Sequence, residues 1–80
     1  MKFKVGDYIT HDGIGIHRVI ETIGDKYHLI VIKSNCSLKS LGTPCHPGEK
    51  FTSDPRKVNW QLHTLYNTPL AKVLRGEHDN

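Results

Sequence analysis

Ile16-His17-Arg18-Val19-Ile20-Glu21-Thr22-Ile23 and Tyr27-His28-Leu29-Ile30-Val31-Ile32, joined by Gly24-Asp25-Lys26, are the residues on which the fold turns. The first run is rich in β-branched side chains and too short for an ordinary helix, and the second is the most strand-like run in the chain. The linker is compact and contains glycine, so the two runs read as a central β-hairpin. Leu29 to Ile32 are apolar toward both faces, as expected of a strand that lies between a core and a covering segment.

Toward the N-terminus, Phe3-Lys4-Val5 alternates, and Tyr8-Ile9 follows Gly6-Asp7. This predicts a first strand over about Lys2 to Thr10 with a turn or bulge at Gly6-Asp7, ended by the turn His11-Asp12-Gly13. Beyond the hairpin, residues 33–50 are irregular and polar, with Gly42, Pro44, Pro47 and Gly48 spaced so that no long element fits. A loop this long in a small domain points to function or flexibility. Pro47-Gly48 predicts a tight turn before a short strand at Glu49 to Thr52. Ser53 to Tyr66 reads two ways. Ser53-Asp54-Pro55 resembles a helix start, with Val58, Leu62, Leu65 and Tyr66 on one face. Val58 to His63 alternates strictly, with Val58, Trp60 and Leu62 inward, and this strand is the favoured reading because an open sheet needs a closing strand. Thr68-Pro69 then caps a short helix, Leu70 to Arg75, stopped by Gly76, with residues 77–80 fraying.

The chain has 80 residues, 36% hydrophobic and 24% charged, which allows one folded domain over residues 1–80 with a thin core. A two-lobed catalytic cleft does not fit that size, and a homo-oligomer would add buried area. No apolar run approaches the roughly 18 residues of a membrane span, and Asp7 interrupts the N-terminus before a signal-peptide core could form. A cytoplasmic location with Cys36 and Cys45 reduced is the expectation. Five basic residues between Lys33 and Lys57 (Lys33, Lys39, Lys50, Arg56, Lys57) face only Glu49 and Asp54, so the whole net charge of +3 resides in that region.

Val5-Gly6-Asp7-Tyr8-Ile9, Gly13, Gly15, the strand through Val19 and Ile20, and the Gly24-Asp25-Lys26 hairpin together resemble the opening of SH3-like small barrels of the KOW and Tudor kind. The resemblance covers about the first 32 residues. It implies a mainly β, partly open barrel of about five strands with a short C-terminal helix, and a binding surface that uses Tyr8, Lys4 and Arg18. The chain departs from the KOW pattern in having Asp12-Gly13 where that family has a lysine-glycine pair after the first strand. In its size and lysine-rich loop it also resembles small accessory proteins of bacteriophages, a group that blocks host proteins or captures signalling nucleotides.

Cys36, Cys45 and His46, with His28 or His63, could in number supply four zinc ligands. Their spacing lacks the close Cys-x2-Cys pairs of structural sites, so no metal is expected. Six histidines raise the question of acid–base chemistry. No serine or cysteine stands in a nucleophile setting, no carboxylates pair, and His17, His28 and His63 occupy polar strand positions where half-exposure is the expectation. Gly13-Ile14-Gly15 lacks the third glycine and the βαβ setting of a phosphate loop. The chain thus reads as a non-enzyme without catalytic residues or cofactor.

The expected activity is binding of an anionic ligand, a nucleic acid or a phosphorylated nucleotide. Basic side chains attract phosphate and aromatic rings offer stacking platforms. The candidate ligand-binding residues are Tyr8, Arg18, Lys33, Lys39, Lys50, Phe51, Arg56, Lys57 and Trp60, with Trp60 reading equally as a platform or as core. The alternative is a protein–protein interaction module, such as a phage-type inhibitor of a host protein or a protein sequestering a host defence signalling nucleotide.

Overall fold

The β-branched runs form strands. A computed structural model describes residues 2–34 and 44–76 and contains β1 (Tyr8–Thr10), β2 (Ile16–Ile23), β3 (Lys26–Lys33), β4 (Lys50–Ser53), β5 (Gln61–Leu62) and one helix, α1 (Pro69–Leu74). The strands make a single antiparallel sheet in the order β4-β3-β2-β1-β5, so the chain is mainly β. At its centre β2 and β3 pair from Ile23 opposite Lys26 to Ile16 opposite Lys33. Gly24 turns the hairpin at φ 61°, a left-handed conformation that a Cβ disfavours. Register shifts between Ile16 and His17 and between Val19 and Glu21 add bulges that bend β2 and increase its twist.

One face of the sheet carries the core. Ile9, Val19, Tyr27, Leu29, Val31 and Phe51 pack there with Phe3 and Trp60, and Val58 packs against them. The two edge strands, β4 and β5, share no ladder among the described residues. Trp60, immediately before β5, nevertheless donates its indole N–H to the Ser53 hydroxyl at the end of β4, at 2.9 Å. The sheet therefore curls until its two edges meet through one side-chain hydrogen bond, an open sheet compatible with a partly open barrel.

The first strand is shorter than its sequence predicts. Lys4 to Asp7 forms a turn in which the Asp7 N–H donates to the Lys4 carbonyl and the Lys4 N–H donates to Asp7 Oδ2, both at 3.0 Å. Gly6 sits at φ 96°. The turn stays tied to β2, because the Gly6 N–H donates to the Val19 carbonyl at 2.8 Å and the Val19 N–H to the Asp7 carbonyl at 2.9 Å. This is the predicted interruption at Gly6-Asp7, and it removes the residues before it from the ladder. Phe3 is still anchored, its N–H donating to the Tyr27 hydroxyl at 3.1 Å.

Between Ser53 and Tyr66 neither the strand nor the helix forms in full. The Asp54 carbonyl accepts from Lys57 and Val58 N–H groups at 2.9 and 3.3 Å, which completes one turn and stops. Only Gln61 and Leu62 pair with β1, opposite Thr10 and Ile9. The alternation holds at Trp60, which is buried between exposed Asn59 and Gln61, and fails at Leu62, which is exposed at the sheet edge.

Pro47-Gly48 makes the expected turn. The Glu49 N–H donates to the His46 carbonyl, and Gly48 N–H and Val31 N–H extend the β3–β4 pairing through Val31 and Glu49 carbonyls. Strand β4 begins one residue later than expected. Most of the lysine-rich loop, with Cys36 and Lys39, lies outside the described residues, as does the tail at 77–80. Helix α1 runs one residue earlier than predicted at each end, and Thr68 caps it as expected, its Oγ1 accepting the Ala71 N–H at 3.2 Å. Among the described residues no helix is long and apolar enough to cross a membrane.

Candidate anion-binding face

Antiparallel partners share a face, so the register states which side chains stand together. Lys50 pairs with Ile30, Ile30 with Arg18, and Arg18 with Tyr8. Their neighbours Phe51, Leu29, Val19 and Ile9 all point into the core. Lys50, Ile30, Arg18 and Tyr8 therefore form one row across the opposite face of the sheet. Two cross-strand steps separate Lys50 from Arg18, about 10 Å between Cβ atoms.

The C-terminal segment builds onto the β1 end of this row. The Arg18 guanidinium lies 5.5 Å from the Tyr8 ring centre, and Arg75 lies 4.6 Å from Tyr8 and 4.1 Å from Tyr66. Tyr8 and Tyr66 are tilted against each other at 4.9 Å. Arg75 is also anchored by donating to the Tyr66 carbonyl at 2.7 Å. Asn67 fixes the arrangement through the backbone. Its side chain accepts the Tyr8 N–H at 2.9 Å and donates to the carbonyls of Tyr8 and His63 at 2.7 and 2.8 Å. Two guanidinium groups and two aromatic rings thus alternate next to the row. Glu21 stands opposite His28 on this face, toward the hairpin end.

The other predicted residues lie elsewhere. Trp60 is 2% exposed and Phe51 9%, so both are core residues and offer no open ring for stacking. Tyr8, though on the row, is covered by Tyr66 and Arg75. Lys33 is exposed at the end of β3, on the parity of Val31 and hence on the face opposite Lys50. Arg56 forms two hydrogen bonds with Asp54 at 3.0 and 2.9 Å and approaches Asp25 at 3.4 Å. The Arg56 contacts hold the Asp54 carboxyl down to about 2, and Asp54 in turn raises the Arg56 pKa. That cluster contains two carboxylates for one guanidinium, so the excess charge expected there is spent internally. Lys57 is exposed in the adjoining turn. Arg75, Tyr66 and Asn67 escaped the sequence reading because their contacts with Tyr8 span about sixty residues and leave no local signal.

His17 also departs from expectation. It is buried, not half-exposed, because it shares the face of Val19 two residues on and stands opposite the core residues Ile9 and Val31. Its ring meets Phe51 and Trp60 edge-on at 5.6 and 5.0 Å, and its Nδ1 has no hydrogen-bond partner. Burial, reinforced by repulsion from His11 and opposed by Asp12, lowers its pKa to about 4. His28 and His63 are half-buried as expected. Among the described residues no three His, Cys, Asp or Glu side chains converge as metal ligands would. Compared with protein-family models, curated proteins and solved structures, the chain matches none.

Proposed function

We propose that this chain is a non-enzymatic binding module for an anionic ligand, a nucleic acid or a phosphorylated nucleotide, and that the ligand lies on the face of Lys50, Ile30 and Arg18. The observation that supports it is the register, which sets two cations on one face, about 10 Å apart across a single apolar residue. That separation exceeds one phosphate group and suits two. Ile30 and Ile32, half-buried on the same face, supply an apolar floor between the charges. The reading narrows the broad basic region of the sequence to Lys50 and adds Arg18 from the central hairpin.

The test is fluorescence anisotropy with a labelled single-stranded oligonucleotide over a salt series. Each phosphate contact contributes about 0.7 to the slope of log K against log salt for single strands, so Arg18→Ala with Lys50→Ala lowers the slope by about 1.4. Lys57→Ala, beside the Arg56 ion pairs, leaves it unchanged. Absence of binding, or binding with the same slope in the double variant, rejects the assignment.

A further inference from the structure

The face that carries Lys50, Ile30 and Arg18 holds a second row of polar side chains, displaced along the strands toward the β2–β3 turn. Thr52 pairs with His28, and His28 with Glu21. The register shift between Val19 and Glu21 brings Glu21 onto this face, since Val19 points into the core and plain alternation would send Glu21 after it. On β3 and β4 the rows are two residues apart, and two residues of an antiparallel strand span about 7 Å. The first row is cationic, whereas the second offers a hydroxyl, an imidazole and a carboxylate. His28 Nδ1 lies 3.3 Å from the Thr52 hydroxyl, a contact that orients the ring and leaves Nε2 for a ligand. Glu21 is exposed, and its carboxylate takes no partner among the described residues.

We infer that the ligand is a ribonucleotide, with its phosphates on the row of Arg18 and Lys50 and its 2′-hydroxyl on the row of His28 and Glu21. The inference rests on the anion-binding reading of this face and adds the sugar to it. An ionised carboxylate only accepts hydrogen bonds, so Glu21 repels a phosphate and requires a donor. The His28 Nε2 donates or accepts according to its tautomer, and a hydroxyl answers either. The 2′-hydroxyl is both donor and acceptor, and DNA lacks it. With successive phosphates held by Arg18 and Lys50, the sugar between them lies over Ile30, and its 2′ edge reaches the second row. Inorganic phosphate or pyrophosphate satisfies the first row alone and leaves Glu21 facing a like charge. A row built only of cations would hold any polyanion, whereas the carboxylate beside it favours one that carries hydroxyls.

The test is fluorescence anisotropy with labelled ribo- and deoxyribo-oligonucleotides of one unpaired sequence. The wild-type chain is expected to bind the ribo strand about tenfold more tightly, the effect of one hydrogen bond to a charged group. Glu21→Ala brings the ratio close to one, with Trp60 emission reporting an intact core. Glu49→Ala removes an exposed carboxylate that belongs to neither row, so it shifts both strands alike and keeps the ratio. Competition by a 5′-phosphorylated diribonucleotide separates the two sources of this chemistry. Displacement at the affinity of the strand itself assigns a small nucleotide, and weaker displacement assigns an RNA strand. Equal affinity of the wild-type chain for the two strands overturns the inference and leaves the anion-binding reading in place. A ribo preference that survives Glu21→Ala does the same. Absence of binding to either strand removes both readings.

Discussion

Lowering the pH from 7 to 4 should destabilise this domain through one side chain, His17. Its pKa falls from 6.5 in the unfolded chain to about 4 in the fold, because burial disfavours the cation and His11 repels it. Asp12 acts in the opposite sense. The folded form therefore stays neutral while the unfolded chain takes up a proton, and stability falls as pH drops from about 6.5 to about 4. Below that window both forms are protonated and this contribution stops changing. A shift of this size corresponds to about 3 kcal/mol at full desolvation, and screening near the rim of a thin core reduces it to about 1–2 kcal/mol. With a urea m-value of about 1 kcal/mol/M for a small domain, the midpoint moves down by about 1–2 M. Trp60 is the only tryptophan and touches the His17 ring, so its fluorescence reports the transition directly. His17→Leu fills similar space without a titratable nitrogen and should abolish most of the acid loss. Asp54, lowered from 3.8 to about 2 by its bonds to Arg56, loses its contribution mainly below this window, as pH falls from about 3.8 to about 2. An unchanged midpoint between pH 7 and 4, or the same decrease in His17→Leu, refutes the reasoning.

Two further substitutions probe how the sheet is closed. Ser53→Ala leaves the buried Trp60 indole N–H without its acceptor and should cost about 1–2 kcal/mol, measured by urea unfolding. A loss near zero would mean that the two sheet edges are not coupled through this bond. Asn67→Ala removes three hydrogen bonds to the backbone of Tyr8 and His63 and should cost about 2–3 kcal/mol. Amide exchange at Tyr8 should accelerate with it, and unchanged protection there would contradict the anchoring role.

The parts of this protein legible in its sequence are those governed by neighbouring residues. The β2–β3 hairpin, the break at Gly6-Asp7, the turn at Pro47-Gly48 and the Thr68-Pro69 helix cap each follow from local propensity and backbone freedom over a few positions. Alternation also placed Trp60 on an inward position, although it overestimated the length of β5. There Asp54 closes a turn on itself that period-two counting does not register. The candidate site was only partly legible. Tyr8, Arg18 and Lys50 were recognised as cationic or aromatic candidates, but nothing local relates a residue of β1 to one of β4.

What the sequence determined by itself is the set of strands and turns, together with a surplus of positive charge, because these depend on short-range sterics and composition. Tertiary structure decided the rest. Strand register put Lys50 and Arg18 on one face and set His17 opposite Ile9 and Val31 in the core. Ion pairing with Asp54 and Asp25 took Arg56 out of the cationic surface, and Asn67 and Arg75 closed over Tyr8 from the far end of the chain. Each depends on how separate segments align in space, and a one-residue slip in a strand exchanges its buried and exposed faces.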